Sequence, residues 1–338
     1  MALLSGRDSS GEFLSRAHLS FRHRPSCYLV FQTSMRILVT GRAIPQQPDR
    51  CTGQQLVQGF KEAGHEAYFF GCFYGQATNF IGSKECQSMD KWDLVVVTEM
   101  NDGMPGYEPL FEYYKLKDVP RLYWDFDISY NEAFAWQRAG SLRCDGYLVG
   151  NKLYVEKFAE KFRKPALHLP YACSPTIHRR KPEIKKEHVL GFVGNVTPER
   201  ASLLKDIRTI QGAFGEALID ETNRLFTMIH INQNACKGLV PGRPWETAGC
   251  GTCLLMDLAS YQDFAEFLPS WLRGTAVTEF NNAHDVHAYT SNVYDNQAVW
   301  LKYGEDLMRY MHAEHSYKNR AEAILQWAAE KGILTKTS

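Results

Sequence analysis

The chain has 338 residues, 44% of them hydrophobic and 22% charged, with Lys+Arg and Asp+Glu both at 38. That is the composition of a globular chain long enough for two domains, not of a disordered one. No apolar run approaches the roughly 20 residues a membrane helix needs, and zero net charge gives no global field to gather nucleic acid or anionic lipid.

Residues 1–34 carry Arg7, Arg16, Arg22 and Arg24 among serines and few acids. A transit peptide has that character, but Met35 directly precedes the first good strand, so the stretch reads as an extension outside the fold. Arg36 to Thr40, ending in Gly41, is a short apolar strand of parallel type. A loop with Pro45 and Pro48 leads to a helix over 53–63, and 64–70 forms a second strand, with His65 in a structural place at its entry. Strands follow at Trp92 to Glu99, Arg121 to Phe126 and Gly146 to Val149. Strands spaced by helical segments predict a doubly wound parallel sheet. Ligands of such sheets meet the C-terminal strand ends, which here carry Gly41, Thr98, Glu99, Asp125 and Asp127. For Trp124-Asp125-Phe126-Asp127 three readings stand: contact with an acceptor, a local capping role, or a shared grip on a divalent metal ion.

A charged stretch, Arg179 to Glu187, reads as a solvated connector before a second sheet beginning at Val189. Leu190-Gly191-Phe192-Val193-Gly194-Asn195, followed by Thr197-Pro198-Glu199-Arg200, is a strand, a glycine pair and a helix start, the order that brings backbone close to phosphate. It lacks the Gly-x-Gly-x-x-Gly spacing of dinucleotide sites, which argues against NAD. Arg200 and Lys205 are the nearest cations, either phosphate ligands or one solvated helix face. A strand over 226–231 then leads to Asn232.

In the stretch Pro241 to Gly251, Gly242 reads as a turn residue and Pro244 suits a first helical turn. Glu246 falls near the positive end of that helix. Gly249 and Gly251 end it, and Thr252 to Met256 is a buried strand finishing at Asp257. Such a helix start, with Arg243 and Glu246 beside it, is a seat for a phosphorylated ligand or an ordinary joint with surface charges. A strand over 275–280 precedes a helix including 284–289, capped by Asn281 or Asn282. From Asn296 the pattern is helical, with a break near His315. The nine cysteines are scattered, which favours reduced thiols and a cytoplasmic setting. Cys250-x-x-Cys253 lacks a second ligand pair for zinc.

The stretch Pro241 to Gly251 resembles the Arg-x-x-Glu…Ala-x-Gly signature of the CgeB-type, or spore-maturation-type, members of glycosyltransferase family four. Leu190 to Asn195 with Arg200, Met228-Ile229-His230-Ile231-Asn232, and His315-Ser316-Tyr317-Lys318-Asn319-Arg320 agree in the family's order. The resemblance implies two Rossmann-like α/β domains facing a cleft, the GT-B type. Residues 35–172 would form the acceptor side and 173–317 the donor domain, with the terminal helix in 318–338 crossing back. It implies a nucleotide-sugar substrate, UDP- or GDP-linked, with no tightly bound cofactor and no metal. Glu246 would grip the ribose. Gly194, Asn195, Arg200, Lys205, Asn232, Gly242, Arg243 and Trp245 would line the rest of the donor site. Gly41 and Glu99 would face the acceptor, with Asp125 and Asp127 as catalytic candidates. One departure stands out. The broader family has a second glutamate eight positions before the ribose-binding one, and this chain has Gly238 there, which leaves open how the sugar is held and whether its anomeric configuration is retained. The acceptor is left open among a glycan, a protein, a small molecule and a modified nucleobase. Rival readings are a nucleotide-dependent oxidoreductase or epimerase, and a non-catalytic nucleotide-sugar or glycan-binding protein.

Overall fold

The computed structural model describes residues 34–43, 51–73, 76–81, 91–98, 116, 118–126, 128–129, 131–232 and 237–334. The expected extension at 1–34 falls, apart from Ser34, outside them. The first lobe is built on a seven-stranded sheet of β1 (Arg36–Ala43), β2 (Glu66–Phe73), β3 (Gln76–Ile81), β4 (Leu94–Val97), β5 (Arg121–Asp125), β6 (Gly146–Val149) and β7 (Ala166–His168). Their order is β3-β2-β1-β4-β5-β6-β7, parallel throughout except for the β2–β3 pair at one edge. β4 and β5 are buried at every position, as unbroken apolar runs must be when helices cover both faces. Helix α1 (Thr52–Glu62) covers one face with Gly53, Leu56, Val57 and Phe60 at helical spacing. Ala135 and Ala139 of α2 (Glu132–Ser141) and Phe158 of α3 (Val155–Phe162) fill the other.

The second lobe runs β8 (His188–Val193), α4 (Pro198–Ala201), β9 (Arg208–Ile210), α5 (Gly215–Arg224), β10 (Leu225–His230), α6 (Gly242–Gly249), β11 (Cys253–Asp257), α7 (Leu258–Ala265), β12 (Val277–Phe280), α8 (Ala283–Asp295) and α9 (Gln297–Glu314). Its five strands are parallel, in the order β12-β11-β10-β8-β9. The chain leaves β8 toward one edge and resumes at β10 toward the other, so the order reverses between these two strands. Asn282 is the residue that caps α8, its Oδ1 accepting from Asp285 N at 3.1 Å.

The break near His315 separates α9 from α10 (Tyr317–Glu330), which Ser316 and Asn319 start with a reciprocal capping box. Tyr317, Ala321, Ile324, Leu325 and Ala328 of α10 enter the first lobe's core beside α1. Gly59 makes that approach possible, because a Cβ there would lie 2.3 Å from Tyr317 O. The two chain segments that pass between the lobes run side by side. Cys173 N donates to His315 O and Tyr317 N to Cys173 O, both at 3.1 Å. Buried Arg320 adds bonds from Nε to Pro170 O at 3.0 Å and from its terminal nitrogen to Tyr171 O at 2.9 Å.

The charged connector is not simply solvated. Lys181 pairs with Glu216 and Asp220 of α5, and Arg180 donates to Asn223 Oδ1 at 2.9 Å. The Lys186 ammonium reaches Leu225 O at 2.5 Å and Thr252 Oγ1 at 2.7 Å. Its cations close the lower end of the second sheet, where strand starts leave carbonyls to satisfy. Cys250 and Cys253 are buried free thiols, and burial pushes the Cys253 thiol up to about 12, so neither is a ready nucleophile. Among the described residues no helix is long and apolar enough to cross a membrane.

Candidate functional site

The reversal between β8 and β10 opens a crevice at the C-terminal strand ends, where open α/β sheets hold ligands. Gly194 and Asn195 leave β8 there, His230 to Asn232 leave β10, and Asp257 ends β11. Asp257 is a fastener. Its carboxylate accepts from Ser260 N at 3.0 Å, Ser260 Oγ at 2.7 Å and Asn232 N at 2.8 Å, which caps α7 and pins the end of β10. The guanidinium of Arg200 lies over the Phe192 ring and donates to Asn195 O at 2.9 Å and Ile231 O at 2.7 Å. It therefore ties β8 to β10, while its Nε is buried without a partner among the described residues. Lys205 is exposed on the turns beyond α4. Asn232 donates through Nδ2 to Leu239 O at 3.3 Å, joining the strand end to the loop before α6.

Helix α6 starts one residue earlier than a turn at Gly242 would have it. Pro241 is the N-cap, and no side chain caps the helix. Gly242 leaves room above the helix start, since a Cβ there would meet nothing nearer than the Tyr171 ring at 3.7 Å and Glu246 Oε1 at 3.8 Å. Arg243 and Glu246 pair at 3.1 Å with 23% and 28% of their side chains exposed. Tyr171, on the segment joining the lobes, stacks on Phe126 of the first lobe with ring centroids 4.1 Å apart. The Glu246 carboxylate thus lies beside the junction of the lobes and not on a remote face. An uncapped helix start with a partly exposed arginine and carboxylate beside it can hold an anionic group and a pair of hydroxyls together.

Trp245 does not belong to this lining. It is fully buried, packs edge-on against Phe264 and Phe267 with centroids 4.9 and 5.2 Å away, and lies under the Arg320 guanidinium at 5.3 Å. Its Nε1 donates to Val240 O at 3.4 Å. At this position on a helix laid across a sheet, the indole points to the core. Asp125 is corrected in the same sense. Its side chain has no exposed surface, and its carboxylate accepts from Tyr123 Oη and Ile128 N, both at 2.8 Å, with Arg138 3.9 Å away. A carboxylate so enclosed fastens the turn after β5 and reaches no acceptor. Asp127 and Glu99 lie outside the described residues. Gly41 is buried within β1, opposite Gly71 of β2 and one residue beyond the last β1–β4 pair.

The absence of the second family glutamate has a structural explanation. Gly238 adopts φ +80°, and a Cβ there would stand 2.6 Å from Leu153 Cγ and 2.7 Å from Asn151 Oδ1. The space is taken by a contact between the lobes. Asn151 Nδ2 donates to Lys237 O at 3.0 Å, Lys152 N to Gly238 O at 3.0 Å, and Lys152 Nζ pairs with Asp263 at 2.9 Å and Glu266 at 2.6 Å. Tyr171, Asn151 and Lys152 were not marked by any sequence signal, because they matter only through residues far along the chain. His230 was visible as the end of an apolar strand, with no role attached.

Residues 193–326 match the family model described as glycosyl transferase-like, so the second lobe carries a glycosyltransferase-type domain. No relative is found among curated protein sequences. Among solved structures the chain is similar to HepE of Anabaena, determined in complex with UDP and glucose, at 10% identity and a TM-score of 0.53, covering 88% of this chain and 100% of that one. It is similar to T4 phage BGT in complex with its UDP-glucose substrate at 11% identity and 0.54, covering 87% and 99%. A glycosyltransferase from Rickettsia africae matches at 11% identity and 0.54, covering 90% and 100%. At such identities the likeness establishes the shared two-lobed GT-B fold.

Proposed function

We propose that the protein is a glycosyltransferase that moves a sugar from a nucleotide-diphosphate donor, UDP- or GDP-linked, to an acceptor hydroxyl, without a tightly bound cofactor. The observation that carries this reading is the uncapped start of α6 at the strand-order reversal, with the partly exposed Arg243 and Glu246 beside it. The match of this lobe to the glycosyl transferase-like family supports it, and relatives in fold solved with UDP and glucose or with UDP-glucose make UDP the first nucleotide to try. In this reading the helix start and Arg243 stabilise the charge that develops on the departing diphosphate. Glu246 accepts from both ribose hydroxyls, as a carboxylate has lone pairs to do. Asn195 and Asn232 border the donor, while Arg200 holds the two strand ends in place. The acceptor enters from the first lobe, on the side of Gly41; Glu99 as an acceptor-side residue and Asp127 as a catalytic candidate are carried only by the family resemblance. The donor domain spans 173–317, and 35–172 with 318–338 forms the acceptor side. CgeB-type membership and a cytoplasmic setting belong to the same proposal.

Thermal melting with a panel of UDP- and GDP-sugars tests it, because a ligand at 100 times its dissociation constant stabilises the native state by about 2.7 kcal/mol. A raised melting temperature with one nucleotide class, followed by release of that nucleotide when an acceptor is added, is expected. No shift with any member of the panel refutes the donor site.

A further inference from the structure

One polar side chain at this crevice has no task in the reading above. His230 closes β10 at the strand-order reversal and is only 7% exposed. Its Nε2 is buried and has no hydrogen-bond partner among the described residues. Buried nitrogens are nearly always satisfied, and an orphan calls for an explanation. The charged groups acting on the ring come from each element packed around it: Asp257 on β11, Arg200 on α4 and Arg243 on α6. None of them is free to complete it. Asp257 already accepts three bonds, Arg200 serves two carbonyls, and Arg243 is paired with Glu246. Arg200 Nε is a second buried nitrogen without a partner among the described residues. A histidine and two arginines, two of the three with an unsatisfied nitrogen, describe a place that lacks an anion.

We propose that His230 is a proton-linked ligand of the donor's diphosphate: the imidazole takes a proton from solvent as the diphosphate settles at the start of α6 and donates a charged hydrogen bond to it. This rests on the donor reading above and assigns it a residue and a pH dependence. In the free protein burial holds the His230 pKa down to about 4, with Asp257 opposing and the two arginines reinforcing the shift, so the ring is neutral near pH 7. A diphosphate brings negative charge into the same corner and favours the protonated ring. Linkage then requires that donor affinity rise as pH falls, by at most about tenfold per pH unit for one proton. The device would keep the imidazole neutral when the crevice is empty and cationic when it is filled.

The test is calorimetric titration of the intact protein with UDP-glucose, whose diphosphate diester does not titrate near neutral pH, in buffers of different ionisation enthalpy. Up to one proton taken up per donor at about pH 6.5, and a dissociation constant that weakens toward about pH 8.5, are expected. His230→Leu should abolish the uptake and flatten the pH profile, binding about tenfold more weakly than wild type at the lower pH and converging with it at the higher. His230→Gln, which keeps a neutral donor and covers the case in which leucine disturbs folding, should bind at an intermediate level with an equally flat profile. Wild-type binding without proton uptake, or an unchanged pH profile in either variant, overturns the role of His230 and leaves the donor site standing. Failure of the wild type to bind either UDP- or GDP-sugars overturns both.

Discussion

Replacing Glu246 with glutamine removes one charge and preserves the shape of the side chain. In the free protein the change is mild. The Arg243–Glu246 pair at 3.1 Å keeps 23% and 28% of its side chains in water, and pairs screened to that degree are worth about 0–1 kcal/mol. For a chain of this size that corresponds to a melting shift of at most about 2–4 °C. Binding is a different matter under the proposed function, because a donor held by Glu246 would take its carboxylate, now 28% exposed, out of water. A hydrogen bond to a charged group is worth about 1.5–3 kcal/mol, which is about ten- to a hundredfold in affinity. Isothermal titration with UDP and with UDP-glucose reads the loss, and scanning fluorimetry on the same samples reads the stability. The expected result is weak binding by a protein that melts almost normally. Glu246→Gln protein that binds within twofold of wild type would refute the assignment of this carboxylate to the ribose. A large drop in melting temperature would show instead that the pair carries structure.

Trp245→Ala should behave in the opposite way, costing about 3–5 kcal/mol as a fully buried aromatic is lost, and urea melts would find it; a stable variant would contradict its place in the core. Gly238→Glu, which restores the glutamate of the broader family, should destabilise by about 2–4 kcal/mol from the left-handed backbone and the collision with Asn151 and Leu153, and should add no activity; improved turnover would mean that the lobes meet differently. Acid should unfold the protein early. Burial holds His168 and His230 at about 4 and His315 at about 3, neutral in the folded state, whereas the unfolded chain protonates them near 6.5. The unfolded state therefore binds more protons below about pH 6.5, and stability falls from there downward, by up to about 4 kcal/mol per pH unit if all three act together. Urea midpoints measured from neutral to mildly acidic pH check this, and a His315→Asn variant should show a shallower slope.

Much of the architecture follows from patterns a few residues long. The strands at Arg36 to Thr40, Arg121 to Phe126 and Thr252 to Met256, a cap at Asn281 or Asn282 and the break near His315 were readable, because strand burial and helix capping depend on near neighbours in the chain. β3 and β9 were not. β3 is an antiparallel edge strand and β9 a three-residue one, and such elements owe their existence to a partner strand more than to their own pattern.

The proposed donor site was also read from the chain alone, since a helix start with Arg243 and Glu246 is local, and so is the glycine at 238. Which of those side chains face the crevice was decided only by packing. Trp245 is one residue from Glu246 yet points into the core, and Asp125 ends its strand yet is sealed by Tyr123, Ile128 and Arg138. Tyr171, Asn151 and His230 acquire meaning from residues on other elements, brought beside them by the folding of the two sheets. A sequence records what each residue can do. The tertiary structure decides what it is able to touch, because exposure and hydrogen-bond partners are set by the rest of the chain.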